Sequence, residues 1–497
     1  MPAQLTTKAQ VNGYRFLLHR LDHALVRRDV RMLHDPMRSQ TRSLWVGAVL
    51  GLLVIAGAAI MAFLRPQGAI GDSLIVMGKD SGALYVVVER DSGERTLHPV
   101  LNLASARLIT GSSESPHSVK DSKLAAEPRG PMLGIPGAPS ALPGSTQGGR
   151  SDWSICDTVE LSITGSAASA SGVRTTVIAG RPQVNERVHP LGADEAVLVR
   201  RAEQTYLLYD GKRAVLDRAD SVITRALGLS GARPRPVGAG LLDAAAAVPP
   251  LVAPRIPSAG TPGPGRLSDV PVGGVISIGG ADSDPGDLYV VLTGGVQRIS
   301  AFTADVIRIA DSQGMSRIKP LPPDALSGIP LVTELPVDHF PAVAPRIVSA
   351  EDAPVTCVSW GRTNPARDSS AEGSADRATV TLLAGSRSPI PESAVPVTLA
   401  TSDGAGDRVD TAYLRPSSGE FVQVTAMDPG SPRRGSLFYV ADNGVRYGIP
   451  DLETAAVLGV GDAPRLAPWA IIGQLVPGPT LSAADALVEH DVLPTSR

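Results

Sequence analysis

The sequence has no phosphate-binding loop of the form Gly-x-x-x-x-Gly-Lys-Ser/Thr: its Gly-Lys pairs, at 78–79 and 211–212, are followed by Asp80 and Arg213. Without the lysine and glycine amides that cradle a nucleotide's phosphates, a conventional nucleotide motor is excluded. The chain also lacks a Gly-x-Ser-x-Gly elbow, and its eight histidines lie scattered without the acid and serine contexts of a triad. His19 and His23 bracket Asp22, but no third ligand is recognisable and nearby arginines would repel a dication, so the run reads as a solvated helix face. No metal or cofactor is implied. Lysine is scarce, six among 46 basic residues, while Ala, Gly, Pro and Arg abound, the composition of a chain from a GC-rich bacterium.

Long apolar runs are absent with one exception, Leu44 to Leu64, which holds 21 residues and no charge. As a helix it spans about 31 Å, the hydrocarbon thickness of a bilayer. A cleavable signal peptide fits poorly: the run starts more than forty residues in, is too long for an h-region and has no small-x-small site after it. The expected organisation is a cytoplasmic arm at 1–42, a transmembrane helix at 43–65 and an outer domain at 66–497. Residues 1–42 carry eight basic and three acidic residues, which places the N-terminus inside. The arm holds +5 and Arg65 +1, so residues 66–497 hold −9 of the net −3, and a basic nucleic-acid face is excluded there. Within the span, Gly47 and Gly51 offer a small-residue face for close helix approach.

In the arm, Thr6 and Thr7 can cap a helix over 8–34 whose apolar positions, Val11, Tyr14, Leu17, Leu18, Leu21 and Leu25, recur at three and four. One face is apolar and the other rich in arginine. Such a helix lies on anionic headgroups or docks its apolar face on a partner, and docking through Tyr14, Leu17, Leu18, Leu21 and Leu25 is the favoured expectation.

Cysteine occurs only at 156 and 357. Both lie beyond the span, in an oxidising compartment where a lone pair in a large domain is normally bridged, so a disulfide is expected.

Four segments of the outer domain read alike, at about 72–111, 194–229, 272–311 and 420–462: a hairpin followed by a short helix. Asp210-Gly211, Gly294-Gly295 and Asn443-Gly444 supply tight turns, Asn102, Asp220 and Asp451 are N-caps, and Gly111, Gly228 and Gly459 close the helices. The cysteine strands sit at about 151–188 and 350–400, each between two such segments, and the 201-residue offset between the cysteines nearly matches the 204 between Leu84-Tyr85 and Leu288-Tyr289. The expected fold is therefore a single transmembrane helix plus a mainly β (α+β) domain, with four repeats around a central β core of pseudo-twofold symmetry. Ser/Gly/Asp-rich 362–377 and 401–410 read as mobile loops.

The opening PAQLTTKAQVNGYRFLLHRLDHALVRRDVRMLHDPMRSQTRSLWVG, the strand LYVVV, TCVSWG at 356–361 and the four repeats resemble EccB, a core membrane component of the mycobacterial type VII (ESX) secretion system. The resemblance covers essentially the whole chain. It implies an inner-membrane protein with a periplasmic domain, assembled with EccC, EccD, EccE, the mycosin protease and other EccB copies. The leading expectation is a scaffold subunit supporting protein export. Members are often named ATPases, so atypical ATP hydrolysis is the alternative, and a membrane-anchored cell-wall binder is another.

Overall fold

The computed structural model describes residues 7–28, 30, 36–64, 70–89, 95–161, 172–279, 286–363, 377–461 and 463–492. Residues 29 and 31–35, near the end of the expected 8–34 helix, residues 90–94 of the first repeat and most of the 362–377 loop lie outside the described residues. The chain divides into two units, one made of residues 1–71 and 118–125, the other of 72–117 and 126–497.

The first unit holds two long helices. Lys8–Arg27 opens after Thr7, whose N–H donates to Gln10 Oε1 at 3.0 Å. It closes on Arg28, which adopts left-handed geometry (φ 56°) and donates its N–H to the Ala24 carbonyl at 2.9 Å. That cap satisfies a terminal carbonyl and turns the chain, so the helix stops at Arg27, short of the expected residue 34. Pro36–Leu64 starts on proline, whose missing N–H costs nothing at a first helical position. Its apolar stretch, Thr41–Met61, has a mean hydropathy of 2.4 and is wholly unburied.

In the second unit, four segments share one plan of three antiparallel strands followed by a helix. The strands are Ile75–Gly78, Leu84–Glu89 and Arg95–Pro99; Glu195–Arg201, Gln204–Tyr209 and Lys212–Leu216; Val275–Ile278, Asp287–Leu292 and Gly295–Arg298; and Gly419–Thr425, Leu437–Ala441 and Val445–Ile449. Local chemistry dictates much of this. Asp210 and Gly211 both take positive φ (46° and 71°), so Tyr209 pairs directly with Lys212 across a two-residue turn whose twist matches the strands. In the third segment Leu292 pairs with Gly295 across Thr293-Gly294, one residue before the expected pair, and in the fourth Gly444 takes φ 81° and donates to the Ala441 carbonyl at 3.0 Å, closing a longer loop.

The four helices are Leu103–Thr110, Ser221–Ala226, Ala301–Ala310 and Leu452–Leu458. Asn102, Asp220, Ser300 and Asp451 cap them, each side-chain oxygen accepting from first-turn amides. Gly111 and Gly459 end two of them in left-handed geometry; the third ends on extended Asp311. Each of the last three sheets then gains a strand parallel to its first: Arg235–Pro236 on Glu195–Arg201, Lys319–Leu321 on Val275–Ile278, and Arg465–Pro468 on Gly419–Thr425. These additions were not evident from the hairpin pattern.

A seven-stranded sheet stands among these segments in the order Val397–Thr398, Thr411–Tyr413, Val173–Ala179, Arg150–Val159, Val355–Thr363, Thr379–Gly385, Val188–Pro190. Its two longest strands pair antiparallel, Trp153 with Trp360, Ile155 with Val358, Cys156 with Cys357. Alternation sends Trp153, Ile155, Val358 and Trp360 into a core shared with Val197, Val199, Leu208, Val422 and Val440, while the cysteines face a smaller cluster with Ile178, Val355 and Leu383.

Two further cores are each shared by a pair of segments. The second and third segments share one core, with Leu198, Leu207 and Ile223 against Val290, Phe302 and Val306. The first and fourth share another, with Ala104 and Leu108 against Phe421, Tyr439 and Leu458.

Candidate functional site

Sequence-selected residues fall in three places. Cys156 and Cys357 are bridged, S–S 2.06 Å and Cα–Cα 4.0 Å, and both are fully buried. Because they are register partners on adjacent strands, the bridge staples the two halves of the central sheet at their shared edge. Tyr14, Leu17, Leu18, Leu21 and Leu25 share the Lys8–Arg27 helix, and all five are exposed, Leu25 to 73%. Gly47 and Gly51 lie on the Pro36–Leu64 helix, where a methyl at either would meet nothing within 4 Å. The Gly-Lys pairs occupy turns: Gly78 ends a strand before Lys79, and Gly211 makes the turn preceding Lys212.

Against the cysteine hairpins sits a polar cluster that the sequence did not reveal. Asp157, next to the bridge, is fully buried and accepts from the Gly238 N–H at 2.6 Å and the Thr175 hydroxyl at 2.8 Å. Burial pushes its carboxyl up to about 6, partly countered by those two hydrogen bonds and by Arg201, and helped by the nearby charge of Asp410. A Cβ on Gly238 would lie 2.7 Å from Thr175 Oγ1 and 3.0 Å from Asp157 Oδ1, so glycine is what lets the chain come this close. Asp410 takes the Ser402 hydroxyl at 2.6 Å and the Asp403 and Gly404 amides at 3.0 and 2.8 Å. The 401–410 segment is therefore pinned to the sheet, contrary to its loop-like composition.

Arg235 is buried, and among the described residues its hydrogen bonds go to carbonyl and hydroxyl oxygens, with the charge of Glu351 nearby. It donates to the carbonyls of Ala353 (2.5 Å) and Val348 (2.7 Å) and to Thr356 Oγ1 (3.0 Å). Burial pulls its guanidinium down to about 10. It ties the strand following the second helix to the stretch leading into the second cysteine strand. Glu420 and Arg465, paired at 3.0 Å, are likewise buried, and desolvation raises the Glu420 carboxyl. Among the described residues no group of three His, Cys, Asp or Glu side chains converges as a metal site. The polar clusters join segments of chain.

This arrangement defines a class: a protein with one helix of membrane-spanning length among the described residues, whose mixed, mostly β domain is stapled by a central disulfide. The chain belongs to the EccB family, its residues 3–495 matching the model for the type VII secretion system ESX-1, transport TM domain B. It is 40% identical over 503 aligned residues to the ESX-3 secretion system ATPase EccB3 of Mycolicibacterium smegmatis, covering 99% of this chain and 92% of the relative. The ESX-1 secretion system ATPase EccB1 of Mycobacterium tuberculosis H37Rv is 38% identical over 500 residues, covering 99% and 97%. A chain in an intact ESX-5 inner membrane complex matches with a TM-score of 0.72 at 34% identity, over 100% of this chain and 98% of that one. The EccB3 dimer of the ESX-3 core complex matches at 0.70 and 38%, over 84% and 100%.

Proposed function

We propose that this subunit of a type VII secretion complex is a non-catalytic scaffold in the inner membrane. Residues 1–42 form a cytoplasmic docking arm, 43–65 cross the bilayer and 66–497 stand in the periplasm. The orientation rests on the basic excess of the arm. EccC, EccD, EccE, the mycosin protease and further EccB copies are its partners; the solved relatives from an ESX-5 inner membrane complex and an EccB3 dimer support that setting. Gly47 and Gly51 provide a close-approach face in the span.

The observation that carries this reading is the row of exposed apolar side chains on the arm helix. Tyr14, Leu17, Leu21 and Leu25 are each more than half exposed among the described residues, and an apolar face of this size beside arginines suits a partner's groove. The outer domain supplies the brace. Its four three-strand-plus-helix segments are repeats in two halves, related by a pseudo-twofold axis at the cysteine pair: the first segment corresponds to the third and the second to the fourth. What supports this is the pairing of cores, first with fourth and second with third, together with the register pairing of the two cysteine strands.

Deleting residues 1–34 is expected to leave an inserted, oxidised protein that no longer co-purifies with the other subunits; intact co-purification would remove the docking role. The curated relatives carry ATPase in their names. ATP turnover by the purified full-length chain, above that of a heat-unfolded control, would overturn the non-catalytic reading.

A further inference from the structure

A cleft of about 710 Å³ opens beside the fourth segment, between the end of its first strand, the loop through Arg433 and Arg434, and the short helix Trp469–Ile472. This is within the usual range for ligand pockets, about 300–1,000 Å³. Three features make it more than a surface depression.

The first is a held but uncovered aromatic ring. Trp469 is 46% exposed, yet it stacks on Phe438 (centroids 5.7 Å, planes 28° apart) and has the Arg446 guanidinium 4.9 Å from its ring. Arg446 is itself held by donating Nε–H to the Leu475 carbonyl at 3.2 Å. A Cβ on Gly473 would stand 2.9 Å from the indole, so glycine makes room for it. A rigid, half-exposed tryptophan is the kind of side chain that anchors binding partners at low entropic cost.

The second is unneutralised charge. Among the described residues, neither Arg433 nor Arg434 pairs with a carboxylate; Arg434 donates only to the main-chain carbonyls of Ser431 (3.2 Å) and Arg433 (2.9 Å). Asp243, the acid in the lining, is engaged with Arg213 at 3.3 Å. Two free guanidinium groups thus face a cleft on a domain whose balance is otherwise acidic.

The third is an orphaned polar group. Thr425 lines the cleft, is only 6% exposed, and its hydroxyl finds no hydrogen-bond partner among the described residues. A buried hydroxyl without a partner costs free energy that a bound polar group would recover.

We infer that this cleft binds an acidic peptide segment of another protein, with an apolar side chain against Trp469 and Met427. Its carboxylates meet Arg433 and Arg434, and a main-chain or side-chain polar group reaches Thr425. Charge complementarity selects the occupant, because planar guanidinium groups match carboxylates and a neutral sugar leaves them unsatisfied. The inference does not depend on the scaffold reading.

The test uses the full-length protein in nanodiscs and fluorescence anisotropy of a labelled peptide in which Phe and Leu are flanked by Asp and Glu. A twin peptide carries Lys at each acidic position. The acidic peptide is expected to bind, more weakly as salt rises. Arg433→Glu with Arg434→Glu should weaken it about tenfold or more, a loss near 1.4 kcal/mol, and should admit the Lys peptide instead. Both arginines are on the surface and without carboxylate partners, so this reversal should leave the unfolding midpoint unchanged. Trp469→Ala should abolish binding of either peptide. The proposal fails if the acidic peptide does not bind, if both peptides bind the native protein equally, if charge reversal changes nothing, or if soluble peptidoglycan fragments are bound and the peptide is not.

Discussion

The two paired cores of the outer domain are built from like parts and closed in unlike ways. The second and third segments are neighbours in the chain, and their shared core packs Phe302 against Phe340 at 5.8 Å between ring centroids. The first and fourth come from opposite ends of the outer chain. Arg107 donates to the Leu458 carbonyl at 2.6 Å across 351 residues, and Glu489-His490 pairs with Met132-Leu133, His490 Nε2 lying 2.8 Å from the Gly134 carbonyl. The difference teaches that one pair forms from contiguous chain while the other waits for almost the entire domain. Because closing distant contacts costs loop entropy before any contact is gained, the first–fourth pair should assemble last and open first.

The largest effect that would break this contrast comes from Phe302→Ala. Removing a fully buried phenylalanine typically costs about 3–5 kcal/mol, so the contiguous pair should lose its advantage. Hydrogen exchange should then show the Ser221–Ala226 and Ala301–Ala310 helices opening as readily as Leu103–Thr110 and Leu452–Leu458.

Cys156→Ser with Cys357→Ser comes next. Loss of a disulfide commonly costs about 2–5 kcal/mol, and here the staple lies between the halves, so calorimetry should show both pairs destabilised together with secondary structure retained. Loss confined to one pair would contradict the central position of the bridge. Thiol labelling of the unfolded, unreduced native protein should leave both cysteines unreacted.

A smaller effect sharpens the comparison. N-cap removal costs about 1 kcal/mol, but Asn102 also donates to the Ile135 carbonyl at 2.9 Å and accepts from the Ser105 hydroxyl at 2.7 Å, while Asp451 is an exposed cap. Asn102→Ala should therefore destabilise more than Asp451→Ala in urea melts, although both act on the same core.

One further effect is a pH dependence common to both pairs. The Asp157 carboxyl sits near 6 in the folded protein and near the ordinary 3.9 when unfolded. The folded state therefore binds that proton more tightly, and the resulting stability is present below about pH 4 and lost as pH rises through 6. Asp157→Asn should flatten this component when its unfolding midpoints are compared with those of the native chain from pH 4 to 7.5.

Much of the local structure was legible because it rests on single residues. Asp210-Gly211 takes the positive φ pair its letters require, Asn102, Asp220 and Asp451 cap helices, and Gly111 and Gly459 end them. The cysteine strands run Arg150–Val159 and Val355–Thr363, the second an alternating, β-branched stretch. What the letters could not convey is which segments share a core, since Ala104 and Leu458 carry no mark of each other. The early stop at Arg27 escaped notice because a non-glycine residue adopts left-handed geometry there, and the pinning of 401–410 because one carboxylate, Asp410, organises an otherwise loop-like composition. The Arg433–Arg434 pair drew no reading from the sequence alone. Its meaning depends on Trp469, 35 residues away, and no spacing rule links them.

The complete burial of both bridging sulfurs has a temporal consequence. Thiol exchange requires a thiolate to reach a sulfur atom, and in the closed sheet neither Cys156 nor Cys357 has any accessible surface. The bond must then be made while the sheet is still open, and afterwards neither oxidant nor reductant can revise it without unfolding the sheet. Each molecule so carries a fixed record of the redox conditions under which it folded, and a population that folded partly without oxidant would stay divided into two non-interconverting forms.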